Sequence, residues 1–269
     1  MSSKIKAELS GLRKNQCKAS AIALLKDLWV EEPSEINLNI LAYTAGKLKI
    51  EVGGLANSDG RIVASKAKGG TIRVKSGLTH GQERFTAAHE IGHFRLHVKG
   101  DMDHDDTVKQ FTVWNDPSEE SEANLFAAEL LMPEYLFCPR IQGKTPSLAL
   151  IDNLAEEFNT SRVSTAYQYV SYTSEPVGLV LSVGNTVKWY HKSESFWPYI
   201  RSGELHEYTG AGEIFAKKSK DTGKMVKTPA EAWLPQLQGK NKDILEDSRY
   251  LSWYDCVATL LWIDDDFDE

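Results

Sequence analysis

The sequence predicts an α+β fold: a mainly helical first part with a small sheet, a helix-turn-helix-like helix pair, and a strand-rich C-terminal domain. Three observations carry this. Apolar residues recur at helical spacing over residues 17–30 and again in the segments that open at Thr79 and Asp116. Three short strand-like runs, 48–52, 61–65 and 71–75, are punctuated by Gly53-Gly54, Asp59-Gly60 and Gly69-Gly70. From Pro176 onward strand-like runs dominate, and Gly184-Asn185 between two of them is a hairpin signal.

The elements follow in order. Ala21, Leu24, Leu25 and Leu28 form the stripe of a first helix, and residues 36–47 read as a short second one. After the three strand-like runs, Thr79 with Gln82 three residues on is a capping-box start. Phe85, Ala88, His89, Gly92, His93 and Leu96 then share one helical stripe. The acidic run 101–106 reads as a solvated loop. Its Asp101, Asp103 and Asp105 have calcium-loop spacing, but Asp106 stands where Gly is needed and Thr112 where Glu is needed. Asp116 reads as the N-cap of the next helix, with Pro117 in its first turn, Glu119 completing the box and Pro133 as its stop. Residues 146–172 read as two helices broken near Asn159, Thr160 and Ser161, and a domain boundary falls at 173–176. The expected division is 1–145, 146–173 and 174–269. The lysines at 217, 218, 220, 224 and 227 read as a solvated loop, and the acidic tail 264–269 as a frayed, solubilising end.

Composition narrows the function. The chain has 269 residues, long for one domain and comfortable for two. A formal charge of -7 argues against a protein whose main task is gripping phosphate backbones. Cys17, Cys138 and Cys256 are widely separated and make neither a metal-ligand pair nor a disulfide framework, as expected in a reducing cytoplasm. The N-terminus shows no apolar stretch of signal-peptide type. The apolar run 257–263 falls far short of the roughly 20 residues a membrane span needs.

His89-Glu90-Ile91-Gly92-His93 is an HExxH motif on the predicted helix. Side chains at i and i+4 project from one face about 6 Å apart, so two imidazoles can reach one Zn²⁺. Glu90, one position round, lies where it can take a proton from a water the ion activates. With 7 His and 38 acidic residues in the chain, chance supplies this pattern fewer than roughly 0.03 times. Two core histidines sharing no partner are the alternative, at a cost of a few kcal/mol that a metal removes.

A third ligand is needed. Metzincin spacing is excluded, because Leu96 and Lys99 stand where its Gly and His belong. His97 reads as an orienting or surface histidine. On the next helix Glu119, Glu120, Glu122 and Glu129 compete. Leu131, Ala127, Asn124 and Glu120 share a stripe, which turns Glu120 toward the HExxH helix with Asn124 one turn below it, placed to orient a metal-bound imidazole. The other three read as solvated. A first-turn glutamate favoured by the helix dipole remains the alternative for Glu120.

The strings Arg84–His97 and Glu120–Pro133 resemble the ImmA/IrrE family of bacterial metallopeptidases, over roughly residues 17–172. The resemblance implies a zincin-like domain with a gluzincin-like site. In it His89, His93 and Glu120 bind the metal and Glu90 is the catalytic base. It also implies cleavage of an XRE-type repressor, which switches on stress-response, phage or mobile-element genes, or pairing with a toxin–antitoxin partner. IrrE-type members carry a GAF-like sensor domain where this chain turns strand-rich.

The expected activity is that of a cytoplasmic zinc endopeptidase acting on a protein substrate. HExxH sites also accept Mn²⁺, Co²⁺ or Fe²⁺. The alternative is a non-cleaving regulatory or antitoxin-type binding protein with a structural zinc. No membrane partner is expected. Direct DNA binding is not expected either, since Arg162 and Gln168 are all that the second helix of the pair offers for base or phosphate contacts. His104 and Tyr135 are candidates to stabilise a developing oxyanion.

Overall fold

A computed structural model describes residues 9–106, 118–217, 223–252, 255–264 and 267. The described residues gather into two compact units, Met1–Phe137 with Ala155–Ser161, and Cys138–Leu154 with Arg162–Glu269. The class is α+β, as expected.

In the first unit α1 (Gly11–Lys26) starts at Ser10, whose hydroxyl accepts from the Arg13 amide, and buries Cys17, Ala21, Leu24 and Leu25. α2 (Leu38–Gly46) leads into β1 (Leu48–Gly53), followed by β2 (Gly60–Ser65) and β3 (Gly69–Lys75). Next come α3 (His80–Leu96), β4 (Asp101–Asp106), α4 (Glu119–Leu131) and, in part, α5 (Glu134–Ile141). The sheet order is β1-β3-β2-β4, with β1 parallel to β3 and the other pairs antiparallel.

Several expectations change here. The acidic run 101–106 is an edge strand paired to β2 from Gly60↔Asp106 to Ser65↔Asp101, rather than a loop. Aspartates disfavour strands, but a neighbouring strand with open N–H and C=O groups overrides that preference. The cap of α4 is Ser118, whose hydroxyl accepts from the Ser121 amide; Asp116 and Pro117 lie outside the described residues.

The second unit holds α6 (Leu148–Glu157) in part, α7 (Arg162–Tyr172), and a six-stranded antiparallel sheet. Its strands are β5 (Val177–Val183), β6 (Thr186–Lys192), β7 (Gly203–Glu204), β8 (Val226–Pro229), β9 (Asp243–Leu251) and β10 (Cys256–Trp262). Their order is β7-β6-β5-β10-β9-β8. The β5–β6 hairpin turns at Gly184 and Asn185, both at positive φ, as the dipeptide predicts. α8 (Gly210–Lys217) and the short α9 (Ala230–Trp233) join Phe196, Ile200 and Leu261 in one core, and α7 packs on β5 and β6. Of the tail expected to fray, Phe267 is buried in this core and its carbonyl accepts from Lys242 Nζ, while residues 265, 266, 268 and 269 lie outside the described residues. Of the basic run, residues 218–222 lie outside the described residues.

Glu246 of β9 is fully buried, and polar donors surround it. It accepts from the Ala211 amide (3.1 Å), Thr228 Oγ1 (3.0 Å), Trp233 Nε1 (2.8 Å) and Ser248 Oγ (2.7 Å). A carboxylate so satisfied is held without the usual penalty of a buried charge, and it pins α8 to the sheet.

Candidate metal centre

The capping box forms as its residues predict. Thr79 Oγ1 accepts from the Gln82 amide at 3.4 Å, and Gln82 Oε1 accepts from the Thr79 amide at 2.9 Å. That fixes where α3 begins and hence which way its side chains face. From Phe85 to Phe94 every residue is buried. The middle of α3 is therefore enclosed all round, where the sequence suggested one apolar stripe. Gly92 explains how closely α4 can approach: a Cβ there would sit 3.1 Å from Phe126 Cδ1 and 3.2 Å from the Ala123 backbone.

This packing brings three donors together. Ligand atoms of His89, His93 and Glu120 all lie within 4.8 Å of one another. The two imidazole Nε2 atoms are 2.9 Å apart, and the Glu120 carboxylate oxygens lie 3.4 Å from His89 Nε2 and 3.6 Å from His93 Nε2. The other ring nitrogens point outward. His89 Nδ1 donates to Asn124 Oδ1 at 2.8 Å, so its Nε2 carries a lone pair. His93 Nδ1 meets His97 Nδ1 at 3.1 Å.

The donor set fits a divalent ion. Tetrahedral ligands at about 2.0–2.2 Å from a centre stand about 3.3–3.6 Å from each other. The two distances to Glu120, 3.4 and 3.6 Å, fall in that range, the 2.9 Å between the imidazole nitrogens is shorter, and two imidazoles with a carboxylate suit zinc and related ions. Facing nitrogen lone pairs at this range repel unless a cation lies beside them.

Glu90 follows His89 on α3 and is fully buried. Gly60 of β2 packs directly against it. A Cβ at Gly60 would lie 2.7 Å from Thr86 Cγ2 and closer still to Glu90 Oε1. The strand thus leaves room for the carboxylate only because residue 60 has no side chain.

Two of the glutamates read as solvated are not. Glu129 is 1% exposed and accepts from the Glu134 amide at 3.0 Å, closing the turn into α5. Glu122 bridges two partners. It accepts from His97 Nε2 at 2.8 Å and from Arg13 Nε and Nη2 at 2.7 and 2.5 Å. The Arg13 guanidinium holds the Glu122 carboxyl below the usual carboxylate range, and Glu122 in turn raises Arg13. α1 packs on α4 here, a long-range contact that no periodicity within α4 reports. The one available signal was His97 itself, four residues beyond His93 on the same stripe.

Other candidates fall elsewhere. The Tyr135 hydroxyl donates to the Val30 carbonyl at 2.7 Å, and the side chain of His104 lies outside the described residues. The strand-like run 71–75 is interior to its sheet, since β3 lies between β1 and β2, so it offers no open edge to an extended peptide. Of the two side chains considered for reading DNA, Gln168 is 3% exposed, and Arg162, 60% exposed, pairs with Asp152 at 2.5 Å. No helix among the described residues is long and apolar enough to cross a membrane.

Comparison with known proteins bears on the family and the fold. Residues 46–169 match the family model Peptidase_M78, described as the IrrE N-terminal-like domain. The chain is 29% identical over 123 residues to "Uncharacterized immunity region protein 2" of Bacillus phage phi105, covering 44% of this chain and 70% of that protein. Among solved structures it is similar to a "Mycobacterium tuberculosis transcriptional regulator", with a TM-score of 0.56 and 14% identity, over 94% of this chain and 90% of that one. That likeness is one of fold. Over residues 46–169, which carry the HExxH helix and the His-His-Glu cluster, the chain is thus similar to the IrrE N-terminal-like domain of the Peptidase_M78 family.

Proposed function

We propose that the protein is a cytoplasmic zinc-dependent endopeptidase that cleaves a partner protein, an XRE-type transcriptional repressor. The observation that carries this is the convergence of His89, His93 and Glu120 on one point beside the buried carboxylate of Glu90. His89, His93 and Glu120 hold the ion, and Asn124 orients His89. A divalent ion supplies Lewis acidity, lowering the pKa of a water toward about 7 and polarising a carbonyl. Glu90 takes the proton of the attacking water and carries it to the leaving amine. Burial keeps that carboxylate away from bulk water.

The family supports a protein substrate, and the likeness to a phage immunity-region protein supports a repressor controlling phage or mobile-element genes. In this reading residues 1–145 are catalytic, and the helix pair 146–173 and the part 174–269 sense a signal or hold the partner.

The test mixes the purified protein with candidate repressors and seeks new termini by mass spectrometry, with and without chelator. Cleavage should need metal and vanish in Glu90→Gln, while bound zinc stays near one per chain. Zinc content should fall in Glu120→Ala. Cleavage by Glu90→Gln would sink the mechanism. A partner that binds and stays intact would favour a non-cleaving regulator with a structural zinc.

A further inference from the structure

We infer that Arg13, Glu122 and His97 form an orienting arm that holds His93 as a metal ligand, so that zinc affinity depends on the N-terminal helix. The inference rests on the metal-site reading above. Its basis is a run of four side chains on three helices, Arg13 on α1, Glu122 on α4, and His97 with His93 at the end of α3.

With both imidazoles neutral, one arrangement of protons satisfies the contacts in this run. The Glu122 carboxylate can only accept, so His97 Nε2–H donates to it across 2.8 Å. His97 Nδ1 is then the acceptor, and His93 Nδ1–H donates to it across 3.1 Å. His93 is left with its lone pair on Nε2, the atom facing His89 and Glu120. Arg13 closes the run by donating two N–H groups to Glu122, the fork-to-carboxylate geometry that fixes both groups. His97 is 5% exposed and Glu122 12% exposed at their side chains, so water competes little for these contacts.

The two imidazoles are therefore held differently. His89 leans on a neutral amide, Asn124, whereas His93 leans through His97 on an anion. A carboxylate behind a ligating histidine raises its basicity and fixes its ring. His93 is accordingly the stronger donor. Arg13 lies outside the stretch 46–169 that matches the family model, so the arm recruits a helix outside that stretch. These are positioning residues: they act through His93 and touch no reacting atom.

The test measures zinc dissociation constants of the full chain by competition with a chelator of known affinity, together with thermal midpoints of the metal-free proteins. His97→Leu removes the acceptor and should weaken zinc binding about 10–100-fold. Glu122→Gln keeps an acceptor but loses the charge, and should fall between wild type and His97→Leu. Arg13→Gln, at a side chain 36% exposed, should fold and give the smallest loss. A purely structural role predicts instead lower metal-free midpoints with zinc affinity unchanged. Affinities within threefold of wild type in Glu122→Gln and Arg13→Gln would overturn the arm, even if His97→Leu fails to fold. A wild type that takes up no zinc would overturn the metal site, and the arm with it.

Discussion

Gly60→Ala adds one methyl group beside the proposed base without touching a metal ligand. An ordinary Cβ contact begins near 3.4 Å, whereas the new Cβ would sit 2.7 Å from Thr86 Cγ2 and closer to Glu90 Oε1. Thr86 must retreat by about 0.7 Å and the Glu90 carboxylate by more. Both side chains are enclosed, at 1% and 0% exposure, so neither can swing into solvent. Overpacking of this kind costs about 1–3 kcal/mol of stability. A misplacement of about 1 Å in a reacting group can cost about 100-fold in rate. The expected outcome is a modestly less stable protein that binds one zinc and cleaves its substrate about 100-fold more slowly, with kcat falling more than KM rises. The assay pairs steady-state cleavage with metal analysis and a thermal melt. Gly70→Ala serves as comparison, because its Cβ would meet Ala64 and the Val63 carbonyl of β2 rather than Glu90. A Gly60→Ala protein that cleaves within threefold of wild type would refute the idea that this strand sets the position of Glu90.

Further outcomes follow from other contacts. Asn124→Ala removes the acceptor of His89 Nδ1–H, and zinc affinity should drop about 10–100-fold in the same competition assay; an unchanged affinity would mean the amide orients nothing. Glu246→Leu strands donors on Trp233, Thr228, Ser248 and Ala211 in the second unit. At about 1–3 kcal/mol for each unsatisfied buried group, the variant should lose several kcal/mol in denaturant unfolding; a loss under about 1 kcal/mol would be inconsistent with that network. Burial pushes the Cys17 thiol up to about 11 and the Cys256 thiol up to about 12. At pH 8 both stay protonated in the folded protein, so a thiol reagent should label Cys138 first and the other two only on unfolding. Raising the pH toward 11 should speed labelling of Cys17 before Cys256; equal fast rates at pH 8 would contradict their burial.

Local features of this chain could be read in the sequence because their physics is local. Thr79 and Gln82 cap a helix through contacts three residues apart, and that helix then sets His89 and His93 on one face. Gly184-Asn185 makes its hairpin for the same reason. The stripe on α4 even pointed Glu120 and Asn124 toward the histidines, since a helix packing on a neighbour buries one face. Only the tertiary structure decided matters that depend on what lies across a gap. Glu122 sits off that stripe, and only α1, arriving with Arg13 from 109 residues away, turns it from a solvated charge into a bridge to His97. Strand propensity could not place the acidic run 101–106, because its pairing is set by the open edge of β2. Nor could it tell that β3 is interior and β4 the edge, since strand order is a property of the whole sheet. The need for glycine at position 60 lay equally beyond the sequence: it exists because Thr86 and Glu90 of α3 pack there, an inter-element contact across 26 and 30 residues of chain.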